Sequence, residues 1–63
     1  MKYSEFHRLI RRNGWLLART RGSHCIYKKG SVTYAVANHG SKEMPEPTRL
    51  AAIKIMGLDT ERK

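Results

Sequence analysis

The chain has 63 residues, enough for one small domain with a thin core, so we expect no deep substrate cavity. Thirteen Lys and Arg residues against five Asp and Glu residues give a formal charge of +8. This imbalance favours a polyanionic partner, with nucleic acid ahead of an acidic protein or an anionic membrane surface. No apolar run approaches the ~20 residues of a membrane span and no apolar signal core opens the chain, so we expect a cytoplasmic protein.

The residue types that bind metals and cofactors are sparse. Cys25 is the single cysteine, which leaves no internal disulfide or thiolate metal site and fits a reducing compartment. His7, His24 and His39 are too scattered in sequence to argue for a metal site. The chain carries no P-loop, no dinucleotide fingerprint and no carboxylate pair of the kind that cleaves glycosidic bonds. We therefore expect neither metal nor cofactor.

Residues 1–13 predict a first helix, because Phe6, Leu9 and Ile10 follow the i, i+3, i+4 spacing of an apolar face. Ser4 is the predicted N-cap, and Gly14 fits the position just past the helix end, where left-handed backbone is favourable without a Cβ. His7 is expected on the surface of this helix. Trp15, which follows, could pack in the core or stack on a base.

Three strands follow, predicted at residues 15–19, 24–28 and 32–37, with turns at 20–23 and at Lys29-Gly30. Side chains alternate along a strand, so the second hairpin predicts two faces. The face expected to meet the helices carries Cys25, Tyr27, Val32, Tyr34 and Val36. The opposite face carries His24, Ile26, Lys28, Thr33 and Ala35. Cys25 is accordingly expected to be a small buried apolar side chain rather than a nucleophile.

Residues 38–46 read as a loop, and a second helix is predicted to begin near Pro47 or Thr48. Its apolar stripe is Leu50, Ile53 and Met56, and Gly57 ends it. The predicted fold is α+β, in the order α-β-β-β-α, with a three-stranded antiparallel sheet and both helices on one face. One domain is expected over residues 1–58, followed by a polar tail at 59–63.

The candidate site is His24, at the start of the second strand and next to a basic turn. RNA carries its own nucleophile, the 2′-hydroxyl, and a histidine can accept its proton near neutral pH. Arg21 and Lys28 could stabilise charge at phosphorus, and Ser23 and the backbone at Gly22 could bind phosphate oxygens. A plain surface histidine at a strand end is an equally good interpretation of these residues. His39 could be a second acid/base group, but we favour a structural role in its loop.

Gly22-Ser23-His24, followed by Tyr27, resembles the glycine-serine-histidine strand motif of HicA toxins, the small mRNA interferases of bacterial HicA–HicB toxin–antitoxin systems. The similarity extends over nearly the whole chain. It includes Ser4-Glu5-Phe6, Leu9, Gly14, His39, Lys42-Glu43, Thr48, Ile53, Lys54, Gly57 and Leu58. The chain departs from the family at Ala37-Asn38-His39 and at the proline-rich Met44-Pro45-Glu46-Pro47, which could alter loop stiffness or RNA preference.

The resemblance implies a double-stranded-RNA-binding-like fold and metal-independent, ribosome-independent cleavage of mRNA with His24 as the catalytic residue. It also implies a hetero-oligomeric complex in which a HicB-like antitoxin covers the His24 face. Two other interpretations stay open. One is a non-catalytic double-stranded-RNA-binding module, which would need no histidine. The other is a small basic domain that docks on an acidic protein and has no role on RNA.

Overall fold

A computed structural model describes residues 1–60. The elements are α1 (Tyr3–Arg12), β1 (Leu16–Arg21), β2 (His24–Lys29), β3 (Val32–Ala37) and α2 (Glu46–Met56). The strands form one antiparallel sheet in the order β1-β2-β3, so the predicted α-β-β-β-α order is confirmed. Residues 61–63 of the predicted polar tail lie outside the described part of the chain. No helix within residues 1–60 is long and apolar enough to cross a membrane.

Both helices cover one face of the sheet, as predicted. The buried apolar cluster consists of Tyr3, Phe6, Leu9, Ile10, Trp15, Cys25, Tyr27, Val36, Met44, Ala52, Met56 and Leu58. Cys25, Tyr27 and Val36 supply the sheet side of this cluster, and Tyr34 packs against it from a half-buried position. Trp15, for which the sequence left two possibilities, is a core residue.

Two residues predicted in the core are exposed. Val32 is on the helix-covered face but is 51% exposed, because it stands at the hairpin end of an edge strand. Leu50 is also 51% exposed, because the buried stripe of α2 runs through Ala52 and Met56, with Ile53 half-buried. The predicted stripe was therefore right at two of its three positions.

The two hairpins share one turn design, a Gly-Ser pair. Arg21 pairs with His24 across Gly22-Ser23, and Lys29 pairs with Val32 across Gly30-Ser31. Both glycines have positive φ, 58° and 62°, as the first position of a type II′ turn requires. The predicted turn at Lys29-Gly30 was thus wrong by one residue. The predicted faces are nevertheless correct. Both the predicted and the observed turn contain two residues, and moving such a turn by one residue leaves each side chain on the same face of the sheet.

The N-cap of α1 is Lys2, two residues before the predicted cap, so the assignment of Ser4 as N-cap was wrong. The free amides of the first turn are satisfied from elsewhere in the chain. Tyr3 N–H donates to the Lys42 carbonyl and Ser4 N–H to the Gly40 carbonyl, each at 3.0 Å. The loop after β3 therefore caps α1, a contact between distant segments that local sequence does not reveal.

Both helices end at the glycines that the sequence predicted. Gly14 has φ 89° directly after the α1 cap residue, and Gly57 has φ 62° after α2. Leu58 then folds back, with its N–H on the Ile53 carbonyl at 3.0 Å. The Lys29 ammonium donates to the Asn13 carbonyl at 2.8 Å, which places a positive charge at the negative end of the α1 dipole.

Candidate active site

The face of the sheet opposite the helices carries His24, and the strand register defines its other members. Residues directly paired in an antiparallel sheet point to the same side. This open face consists of Leu16, Arg19, Arg21, His24, Ile26, Lys28, Thr33, Ala35 and Ala37. His24 is exposed here, so its predicted placement on the uncovered face is confirmed.

Two arginines of β1 lie on this face, because Arg21 pairs with His24 and Arg19 pairs with Ile26. The pairing runs from Leu17 opposite Tyr27 directly to Arg19 opposite Ile26, so Ala18 is an extra residue, a β-bulge. The two-residue turn fixes the pairing of Arg21 with His24, and Arg19 lies on the same face by alternation. The bulge changes the residues before it, so that Leu16 pairs with Lys28 on the open face and Leu17 pairs with Tyr27. Sequence reasoning missed Arg19 as a site residue, and no local signal at Ala18 would have revealed the bulge.

Arg21 is the cation nearest to His24 along the sheet. The two residues flank the Gly22-Ser23 turn and are direct cross-strand partners, which places their Cβ atoms about 5 Å apart. A shallow groove next to them is lined by Arg21, Gly22, His24, Ile26 and Ala35. The small side chain of Ala35 leaves this space open beside the imidazole. Of the predicted site residues, Arg21, Gly22 and His24 are therefore brought together.

Ser23 and Lys28, the other two predicted phosphate-binding residues, do not line this groove. Ser23 is in the turn, where its carbonyl accepts the Asn38 N–H at 2.7 Å, and its exposed side chain does not line the groove. Lys28 is four residues along β2 from His24, about 13 Å at the usual rise of a strand. It lines a separate hollow at the other end of the sheet, beside Leu16 and Leu17. Lys28 is thus placed for a different phosphate from the one that would lie at His24.

The positive charge of the open face is not neutralised within the described residues. Glu5 accepts the Lys2 N–H, Glu43 pairs with the N-terminal ammonium, and Glu46 pairs with Arg49. These carboxylates are engaged at helix ends and loops. Across residues 1–60, Arg19, Arg21 and Lys28 form no ion pair. The face therefore offers an uncompensated site for an anion.

His39 is in the exposed loop after β3. Its ring meets the ring of Tyr3 edge-on, with centroids 4.9 Å apart and planes at 85°. Its backbone carbonyl accepts the Lys42 N–H at 3.2 Å. These contacts favour the structural role over the acid/base role. In the described part of the chain, no three His, Cys, Asp or Glu side chains are grouped so that they could hold a metal ion.

The prediction that His7 is an ordinary surface residue was wrong, since it is only 2% exposed. Its Nε2 lies 2.8 Å from the Ala37 carbonyl, and its Nδ1 lies 2.6 Å from the Tyr27 hydroxyl. A carbonyl only accepts, so Nε2 carries the proton and Nδ1 accepts from Tyr27. The polar character of histidine suggested solvent, but two buried partners satisfy both ring nitrogens.

Burial lowers the pKa of His7 below its usual value of 6.5, the hydrogen bond to Ala37 raises it in part, and the nearby Arg11 charge lowers it again. Burial also raises the pKa of Tyr27 above its usual value of 10.0. The Tyr27 hydroxyl therefore stays protonated and donates a hydrogen bond to Nδ1 of the neutral His7. The chain thus holds one neutral histidine inside the core and one exposed histidine in a basic groove.

The chain is a small α+β domain whose open sheet face offers cations for a polyanion and an exposed imidazole that can exchange a proton. Residues 3–58 match the family described as HicA toxin of bacterial toxin-antitoxin. A curated relative from Pseudomonas fluorescens (strain Pf0-1), named probable mRNA interferase HicA, is 36% identical over 58 residues. The match covers 92% of this chain and 97% of the relative.

The chain therefore belongs to the HicA toxin family, which confirms the resemblance read from its motifs. No solved structure matches the chain. The α-β-β-β-α architecture stands on the structure itself, and the double-stranded-RNA-binding-like label stays a prediction.

Proposed function

We propose that this chain is the toxin of a toxin–antitoxin pair, a cytoplasmic endoribonuclease that cleaves mRNA with His24 as general base. Family membership and the relative's name support the reaction class. The observation that carries the role of His24 is its position, exposed in an open groove and directly across the strand from Arg21. An imidazole in that position can reach a phosphodiester that the surrounding cations attract.

The reaction uses a nucleophile that RNA supplies. His24 takes the proton of the 2′-hydroxyl, whose oxygen then attacks the adjacent phosphorus. The bond between phosphorus and the 5′ oxygen breaks, and that oxygen takes a proton from water. Arg21 stabilises the negative charge that builds on the phosphoryl oxygens, and the backbone at Gly22 lies beside the same groove. Lys28 and Arg19 bind neighbouring phosphates and hold the strand along the sheet.

A cleavage assay on purified RNA in EDTA, without ribosomes, tests the proposal. Removing a general base costs roughly 10²–10⁴ in rate, so His24→Ala should lose at least a hundredfold. His39→Ala is the matched control, since it removes another exposed histidine, and it should cleave at close to the wild-type rate. Ends that carry a cyclic phosphate and a 5′-hydroxyl would identify the 2′-hydroxyl as the nucleophile.

Two outcomes would overturn the assignment. A folded His24→Ala protein that cleaves at the wild-type rate removes His24 from the mechanism. Salt-dependent RNA binding without cleavage by either protein would instead indicate a non-catalytic RNA-binding module, because counterion release makes affinity fall with salt whether or not chemistry follows.

The proposed partner is a HicB-like antitoxin that covers the His24 face. The uncompensated charge of that face supports an acidic contact surface on the partner. Arg21→Glu should weaken the complex severalfold or more in a titration of toxin with antitoxin. Arg8→Glu makes the same change of charge at an exposed position of α1 and should have a much smaller effect. Equal effects of both variants would show that only net charge matters.

A further inference from the structure

We propose that His7 is a positioning residue for the active site, because it holds the end of β3 that pairs directly with His24. The role rests on the proposed function of His24, but the contact itself can be measured without RNA. Three elements meet at this ring. α1 carries His7, β2 carries Tyr27, and β3 carries the Ala37 carbonyl.

The register shows why the Ala37 carbonyl needs this partner. In an antiparallel pair, hydrogen-bonded and non-hydrogen-bonded positions alternate. Asn38 N–H bonds to the Ser23 carbonyl at 2.7 Å, so the neighbouring pair, His24 and Ala37, is non-hydrogen-bonded. The Ala37 peptide groups therefore point away from β2, towards the free edge of the sheet. His7 Nε2 supplies the donor there at 2.8 Å.

The same geometry links His7 to the catalytic strand. At a non-hydrogen-bonded pair the two Cα atoms are about 4.5 Å apart and the side chains are in close contact. Ala37 is the last residue of β3, and the only backbone bond that follows it to β2 within the described ladder is Asn38 to Ser23. Release of the Ala37 carbonyl would loosen this strand end. Ser23, the residue before His24, would lose its fixed partner at the same time.

Tyr27 fixes the orientation of the ring. Its hydroxyl donates to Nδ1 at 2.6 Å, and the two rings lie with centroids 5.5 Å apart. Because Nδ1 is occupied as an acceptor, the proton stays on Nε2, where it meets Ala37. Beside the larger effect of burial, the positive charge of Arg11, one turn along α1, acts to lower the pKa of both His7 and Tyr27. The ring is therefore held from both sides, which is what a positioning role requires.

The test compares His7→Phe, which keeps a ring of similar size and removes both hydrogen bonds, with His7→Gln, which can replace one donor and one acceptor. The control is Leu58→Ala, a core substitution at the end of α2, away from His24. Single-turnover cleavage, RNA affinity and amide exchange at Asn38 are measured below the melting range of each protein. His7→Phe should lose about ten- to a hundredfold in cleavage rate with nearly unchanged affinity.

Exchange of the Asn38 amide should accelerate about three- to tenfold in His7→Phe relative to amides in the centre of the sheet. His7→Gln should recover part of both effects, and Leu58→Ala should show neither. If His7→Phe fails to fold, His7→Leu, a smaller apolar substitution that also removes both hydrogen bonds, takes its place, with the same expected results.

Equal cleavage and equal Asn38 exchange in His7→Phe and Leu58→Ala would overturn the proposal, since His7 would then act through stability alone. If the wild-type protein does not cleave RNA, the proposed function fails, and Asn38 exchange still decides whether His7 holds the strand end.

Discussion

The stability of this protein should fall as the pH drops from 7 to 5.5, and His7 should account for most of the change. His7 is buried as a neutral imidazole, and its pKa in the folded state lies below 6.5. The unfolded chain binds the proton with the ordinary pKa of histidine. The full stability contribution is therefore present above pH 6.5, and it is lost as the pH falls towards the lower folded pKa.

The size of the loss follows from linkage. The slope cannot exceed about 1.4 kcal/mol per pH unit for one proton. In the limit where only the unfolded chain takes up the proton, the free energy of unfolding drops by roughly 1.3 kcal/mol between pH 7 and 5.5, which is therefore the upper bound for His7. For a domain of this size that upper bound corresponds to about 5–10 °C in melting temperature.

Thermal unfolding of wild type and His7→Gln at matched ionic strength checks this value. Every other titrating group, including His24 and His39, is present in both proteins, so the difference between their pH profiles isolates His7. The His7→Gln protein should be less stable than wild type at pH 7, and its free energy of unfolding should fall less between pH 7 and 5.5. Parallel profiles would refute the reasoning, because they would show that His7 exchanges protons as freely in the folded protein as in the unfolded chain.

Three further predictions concern single positions. Tyr27→Phe leaves Nδ1 of His7 buried without a donor and should cost about 1–3 kcal/mol in denaturant unfolding. Gly57→Ala should cost about 1–2 kcal/mol, because φ is 62° and no atom of the described residues beyond its chain neighbours lies within 4 Å of the added methyl, so the left-handed backbone is what is penalised. In a His24→Ala background, Arg21→Gln should reduce the salt slope of single-stranded RNA binding by about 0.7, and Arg8→Gln should leave it nearly unchanged.

The features that the sequence predicted well are those that local chemistry decides. Gly14 and Gly57 end helices because left-handed backbone favours a residue without a Cβ. The alternation of side chains along β2 correctly predicted Cys25 and Tyr27 in the core and His24 on the opposite face of the sheet. It did so even though the turn after β2 was predicted one residue too early. A two-residue turn preserves that alternation wherever it falls. The repeated Gly-Ser pair was the available signal for both turns.

The features that the sequence could not predict depend on contacts between distant segments. α1 begins before Ser4 because carbonyls of the loop after β3 satisfy its first amides. Ala18 bulges although its neighbours look like a regular strand. His7 is buried because Tyr27 and Ala37, twenty and thirty residues away, supply complementary hydrogen-bond groups. A helix pattern read by itself assigns such a histidine to solvent.

The placement of charge connects stability with function. The carboxylates of Glu5, Glu43 and Glu46 are engaged at helix ends and loops, where none neutralises the sheet face. Arg19 and Arg21 therefore repel each other, and because no carboxylate within residues 1–60 pairs with either of them, an anion that binds to this face would relieve the repulsion. RNA and an acidic antitoxin would relieve it at the same residues. If the chain has the proposed function, RNA and the proposed antitoxin would compete for the His24 face without a separate regulatory site, because the same charges would attract both.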